Sequence, residues 1–151
     1  QARQGLLEEL HHQVEASVEA GATVLTGGEP MDREGAYYPP TLLTDVPEAC
    51  PADSEELFGP VGSVFRVGSD EEAIEKANDT EFGLGASIWS EDRERAEEIA
   101  ARIDAGCTYI NQLTKSDPRV PFGGVKDSGY GRELSAAGIR EFVNRKTVWI
   151  E

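Results

Sequence analysis

The sequence holds two cysteines, one methionine and four lysines among 151 residues, and each scarcity removes a class of explanation. Cys50 and Cys107 are too few and too irregularly placed for a disulfide framework, and no Cys/His spacing matches a zinc site, so no metal is expected. No apolar run approaches the roughly 20 residues that span a bilayer, and the first residues lack the basic-then-apolar pattern of a signal peptide. The expectation is a soluble, cytoplasmic protein with no membrane partner. Gln1 opens the chain and Met31 is its only methionine, so a cut, processed or truncated product is expected.

Positive charge is also short. Fourteen basic residues face 29 acidic ones, for a formal charge of -15, which repels nucleic acid and anionic membranes alike. The acids are dispersed along the chain rather than gathered in a tail. A dispersed acidic surface poor in lysine is what a protein kept soluble in concentrated salt carries, and it predicts a halophilic source, against the plainer alternative of an ordinary acidic protein. His11 and His12, adjacent on a helical pattern, read as a solvated helix face rather than a metal pair.

What is present is an alternation of helical and extended patterns in a length that suits one domain. Leu6, Leu7, Leu10, Val14 and Val18 recur at helical spacing from Gln4 to Glu19, with Gly21 as the stop. "ATVLTGG" reads as a strand, and "YYPPTLLTDV" as an extended segment that its prolines keep at an edge or outside regular pairing. "GPVGSVFRV" is a strand leading to Ser69 and Glu72, a capping-box pair that opens a helix running to about Asn78. "LGASIWS" is the next strand, with Ser90 placed to cap a helix whose stripe is Ala96, Ile99, Ala100 and Ile103 and whose stop is Gly106. "CTYIN", a long irregular loop over 112–131, a helix over about 133–144 and a terminal strand "KTVWIE" complete the chain. Alternation of this kind predicts an α/β fold with a largely parallel sheet and flanking helices.

Two loops could carry chemistry. "VPFGGVKDSGYGRE" has the glycines and lysine of a phosphate loop, but a Walker loop needs four residues before its Gly-Lys-Ser/Thr, and here aspartate follows Lys126. The dinucleotide fingerprint fails too, because Gly129-Tyr130-Gly131 is followed by Arg132, Glu133 and Leu134 with no third glycine. Backbone geometry is then the reading of these glycines. Phe122, a large apolar residue on a polar loop, is either a pocket wall or a plug over the core. In "SEELFGPV", a carboxylate beside an aromatic ring could accept bonds from ribose hydroxyls while the ring packs on a flat heterocycle; the alternative is a solvated acid pair before a buried Phe58.

"EELFGPV" at 55–61, "EAIEKANDTEFGLGASIW" at 72–89, "AGCTYIN" at 105–111 and "PFGGVKDSGYGRE" at 121–133 together resemble the C-terminal part of the NAD(P)-dependent aldehyde dehydrogenase family. The similarity covers essentially the whole chain. "KSDPRVPFGGVKDSGYGREL" and "GIREFVNRKTVW" resemble its succinate-semialdehyde dehydrogenase branch. The resemblance implies a partial catalytic domain over 1–151, with an oligomerisation-type strand at about 146–151. It implies that Glu56 bonds the nicotinamide ribose, that Phe58 packs beside the nicotinamide ring, and that Phe122 lines a substrate tunnel. Ser116 and Arg119, on the loop before Phe122, would meet a distal carboxylate, with a structural salt bridge as the other role for Arg119.

The same resemblance implies NAD or NADP as cofactor, a small aldehyde as substrate and a homo-oligomer in the complete enzyme. In the family a cysteine thiolate attacks the aldehyde, hydride passes to the nicotinamide, and a glutamate-activated water releases the acid. That cysteine, in a Gly-Gln-x-Cys setting, and that glutamate would lie upstream of this chain, so no catalytic residue is assigned within it. Cys50 and Cys107 read as packing residues, since nothing adjacent in sequence would lower a thiol pKa. The expectation is a chain inert by itself, or alternatively a non-catalytic assembly module that pairs with a separately encoded N-terminal half.

Overall fold

The computed structural model describes residues 1–151, which divide into two compact units, Gln1–Arg66 and Val67–Glu151. The first unit contains α1 (Gln4–Ala20), β1 (Thr23–Thr26), β2 (Thr41–Thr44), α2 (Pro51–Ser54) and β3 (Val61–Val64). The Leu7, Leu10, Val14 and Ser17 side of α1 is buried, and Gly21, at φ 128°, ends the helix where the sequence placed the stop. The core consists of Leu7, Leu10, Val14, Tyr38, Leu43, Cys50 and Ala52. The strands are ordered β1-β2-β3, β1 antiparallel to β2 and β2 parallel to β3.

The expectation that prolines hold 37–46 at an edge or outside regular pairing is corrected: β2 is the central strand, paired on both sides. Pro39 and Pro40 precede the ladder, so their missing N–H groups leave no gap in it, and the Thr41 N–H opens the pairing by donating to Pro60 O at 2.8 Å. Thr41 Oγ1 accepts the Gly28 N–H at 2.9 Å and donates to Pro39 O at 3.0 Å. The turn before β2 is thereby fastened to the strand itself.

The second unit contains α3 (Asp70–Asn78), β4 (Phe82–Gly83), β5 (Gly85–Ile88), α4 (Arg93–Ala100), β6 (Cys107–Ile110), β7 (Val125–Lys126) and α5 (Ser135–Glu141). Ser69 Oγ accepts the Glu72 N–H, and the Glu72 carboxylate accepts the Gly68 N–H at 2.6 Å, so the predicted cap forms one residue wider than a reciprocal box. For α4 the cap is Asp92, which accepts the Arg95 N–H at 3.0 Å; Ser90 instead accepts the Asp92 N–H. Bidentate pairs join Arg95 to Asp70 and Arg102 to Glu71. The Asn78 side chain donates to Arg102 O and accepts from the Asp104 N–H, both at 2.8 Å. Of the ten buried hydrophobic residues, only Ile74 and Ala96 lie in this unit.

The expected largely parallel sheet is corrected to three small sheets of mixed sense. β2 to β3 and β5 to β6 are parallel, each with a helix between the strands, whereas β1–β2 and β4–β7 are antiparallel. Each parallel pair has a crossover between its strands, whereas β1 and β2 are joined without a helix. The loop over 112–131 is interrupted by β7, and α5 is shorter than predicted at both ends. No strand forms over 146–151. No helix is long and apolar enough to cross a membrane.

Candidate functional site

In the first unit, α2 ends at Ser54 and the chain turns through Glu55–Pro60 into β3. At Gly59 an added Cβ would press on the end of the Leu10 side chain on α1 and on the Gln1 side-chain amide. The Gln13 amide donates to Glu55 Oε2 at 2.8 Å and to Glu56 O at 3.3 Å. Glu56 is exposed, with no partner for its carboxylate among the chain's hydrogen bonds and ion pairs, and the Phe58 ring is 68% exposed. Phe58 is therefore not the buried residue of the plainer alternative. The loop presents a free carboxylate and a bare ring two residues apart on a turn fixed from below.

The second unit carries the glycine loop. Phe122 forms a two-bond bridge with Glu133, its N–H donating to Glu133 O at 2.9 Å and the Glu133 N–H to Phe122 O at 2.7 Å. Half-buried, Phe122 lines a cavity of about 400 Å³ together with Leu84, Tyr130, Arg132 and Phe142. Arg132 Nη1 ties the loop's two ends, donating to Gly124 O at 2.8 Å and Gly131 O at 2.6 Å. Gly106 does not stop α4, which ends at Ala100; its place is against the glycine loop, where an added Cβ would overlap Gly123 O and sit 2.7 Å from Gly123 C and 3.0 Å from Gly124 Cα. The Lys126 ammonium donates to Asn78 O at 2.8 Å and Thr80 O at 3.0 Å, a cation at the C-terminal end of α3 and no phosphate ligand.

Ser116 is exposed on the loop that leads to Phe122. Arg119 is bound to Asp117 by Nε–Oδ1 and Nη2–Oδ2 bonds of 2.9 and 2.6 Å, with its own N–H on Oδ1 as well. The Arg119 side-chain bonds, then its backbone bond, hold the Asp117 carboxyl well below the usual carboxylate range. The salt-bridge role of Arg119 is thus realised, and its Nη1 edge stays free. Tyr109 donates to Lys115 O at 2.6 Å, anchoring this loop to β6. Desolvation foremost, and then the neighbouring Cys107, push the Tyr109 phenol upward. Cys107 faces the Pro121 and Gly123 carbonyls at 3.9 and 3.8 Å, and Cys50 is buried in the core. Neither sulfur has a basic hydrogen-bond partner, in keeping with packing roles.

Gln13, Arg132 and Tyr109 carry these loops and were not singled out in the sequence. Only Gln13 left a signal, as a polar residue within the stripe of Leu10, Val14 and Ser17 that α1 buries.

The model of the aldehyde dehydrogenase family matches residues 1–148. Over 145 residues, 96% of this chain and 32% of the relative, it is 54% identical to a Synechocystis protein named probable succinate-semialdehyde dehydrogenase (NADP(+)). It is 51% identical over 148 residues, 98% of the chain and 32% of the relative, to the Escherichia coli K12 succinate semialdehyde dehydrogenase (NAD(P)+) Sad. A solved succinic semialdehyde dehydrogenase from Streptococcus pyogenes in complex with NADP+ superposes with a TM-score of 0.93 at 40% identity, over 98% of this chain and 32% of that one. The chain belongs to the aldehyde dehydrogenase family. It spans about a third of the length of the curated relatives it matches.

Proposed function

We propose that this chain is the part of a cytoplasmic, NADP- or NAD-dependent aldehyde dehydrogenase that presents the nicotinamide ribose contact and one wall of the substrate site. Succinate semialdehyde is the proposed substrate. The observation that carries the reading is the 54% identity to a relative bearing that name, over 96% of the chain. The geometry suits it. Glu56 offers an unpartnered carboxylate, an acceptor for the two hydroxyls of a ribose, and Phe58 offers an open ring for a flat heterocycle. When bound, the nicotinamide cofactor would accept hydride from the aldehyde carbon. This chain's own part is to hold and orient. Phe122 excludes water along one side, while the Ser116 hydroxyl and the free Nη1 edge of Arg119 meet the distal carboxylate. Since neither Cys50 nor Cys107 has a basic partner, the attacking thiolate is proposed to come from outside this chain, which alone is inert.

A complete enzyme of this kind is proposed to be a homo-oligomer. Phe142, Val148, Trp149 and Ile150 are 70 to 90% exposed, and a partner that pairs with the last residues would cover them. That exposure also favours, as a second reading, an assembly module that joins a separately encoded half.

The test is steady-state kinetics of the full-length enzyme with succinate semialdehyde and both cofactors. Turnover is expected, with Glu56→Gln raising KM for the cofactor far more than KM for the aldehyde. An enzyme that ignores succinate semialdehyde in favour of an aldehyde without a carboxylate refutes the substrate. Aldehyde oxidation by the purified 151-residue chain refutes its inertness, and isolation of this chain bound to a separately encoded partner favours the module.

A further inference from the structure

The loop that carries Glu56 and Phe58 is fastened to α1 at three places, and all three lie on one stripe of that helix. At the start, Ser17 Oγ accepts the Ala52 N–H at 2.9 Å while donating to Gln13 O at 2.7 Å. At the end, Leu10 packs where Gly59 has no side chain. Between them, Gln13 reaches the loop itself. Residues 10, 13 and 17 are three and four apart, the spacing that places side chains above one another on a helix.

The middle attachment differs in kind from the other two. Ser17 and Leu10 hold the ends of the segment; Leu57 packs against the core, and Gln13 supplies the side-chain hydrogen bonds to Glu55 and Glu56 O. Its amide nitrogen has two hydrogens, and both partners, the Glu55 carboxylate and the Glu56 carbonyl, are acceptors only. The amide is thereby oriented by its surroundings, and no carboxylate could take its place. The same bonds dispose of the acid pair in "EELFGPV": Glu55 is drawn down onto α1 and Glu56 is left with its carboxylate unpartnered.

We propose that Gln13 is a positioning residue for cofactor binding: by holding Glu55 Oε2 and Glu56 O it sets the turn on which the Glu56 carboxylate and Phe58 ring are presented. This inference rests on the function proposed above, since it assigns Gln13 a role toward that same ribose contact. A small displacement of a charge-assisted contact is costly, because both hydroxyls of the ribose must be met at once.

The experiment uses the full-length enzyme with Gln13→Glu and the double variant Gln13→Glu/Glu55→Gln. The first sets a carboxylate against Glu55 and the Glu56 carbonyl; the second restores a donor facing an acceptor between positions 13 and 55, with the two side chains exchanged, and leaves only the Glu56 carbonyl without its donor. Cofactor Kd by fluorescence titration is expected to rise about five- to tenfold in the single variant, with aldehyde KM within about twofold, and to fall part of the way back in the double variant, which regains the bond to position 55 and not the one to Glu56 O. An unchanged cofactor Kd in Gln13→Glu overturns the proposal. So does a rise shared equally by the aldehyde KM, or one that the exchange leaves unrelieved, either of which marks a merely structural residue. Should the wild-type enzyme reduce neither cofactor, the functional reading itself fails; normal wild-type turnover with no response to Gln13→Glu sinks only the role of Gln13.

Discussion

Replacing Gly106 by alanine tests whether close backbone approach, rather than turn flexibility, is the reason for a glycine at the start of β6. The added methyl would overlap Gly123 O and lie 2.7 Å from Gly123 C and 3.0 Å from Gly124 Cα, all backbone atoms. Carbon and oxygen approach no closer than roughly 3.3 Å without repulsion, and backbone cannot turn aside as a side chain does. The strand and glycine loop must therefore separate, which strains the Gly106 N–H bond to Gly83 O at 3.0 Å. Overpacking of about 1–3 kcal/mol, plus about 1 kcal/mol for a weakened hydrogen bond, gives an expected loss of about 2–4 kcal/mol. Because Phe122 adjoins Gly123, the aldehyde KM should rise as well, with little change for the cofactor. Gly5→Ala is the matched control: nothing lies within 4 Å of its Cβ in α1, so it should leave stability unchanged or raise it by up to about 1 kcal/mol. The assay is denaturant unfolding of both full-length variants beside aldehyde kinetics. A Gly106→Ala protein as stable as Gly5→Ala would refute the reasoning.

Tyr38, whose hydroxyl donates to Gly28 O at 2.9 Å and meets His11 Nδ1 at 3.2 Å, has its phenol pushed up to about 12 by burial first and then by Glu29 and Glu15. Because the folded value lies above the ordinary 10, this contribution is complete below pH 10 and is lost as pH rises toward 12; Tyr38→Phe should lower stability by about 1–2 kcal/mol at neutral pH and flatten that alkaline loss in a pH series of denaturation midpoints. Lys126→Met should reduce stability by up to about 1 kcal/mol through the end of α3 and leave the cofactor KM unchanged; a large KM effect would restore the phosphate-loop reading. If the -15 charge marks a halophilic protein, melting temperature should climb as potassium chloride rises from low to molar levels. A flat salt profile would mark an ordinary acidic protein.

Local features were legible and long-range ones were not. The Gly21 stop, the Ser69 cap and the Asn78 end of α3 are written in adjacent residues, and the structure has each. The central place of β2 was hidden because prolines beside a strand resemble prolines within one until the partner strands are known. Ser90 and Asp92 both suit a cap in sequence, and only the helix start at Arg93 separates them. Gly106 reads as a helix stop because nothing nearby names Gly123, seventeen residues on, as its neighbour. Glu56, Phe58, Phe122, Ser116 and Arg119 came through the likeness of ordered motifs. The Asp117 pair that occupies one edge of Arg119, and the Gln13 amide under the turn that bears Glu56, depend on contacts a linear pattern does not hold.

The uneven burial of the two units bears on how the protein breathes. With eight of ten buried hydrophobic residues in Gln1–Arg66, amide hydrogens of α1 and β2 should exchange with solvent most slowly. Residues 67–151, held by helix caps, ion pairs and short ladders around Ile74 and Ala96, should exchange early. Local opening there would loosen the glycine loop and Phe122 while leaving the turn that bears Glu56 in place. On the function proposed above, the wall offered to the aldehyde would thus give way at a lower temperature than the turn offered to the ribose.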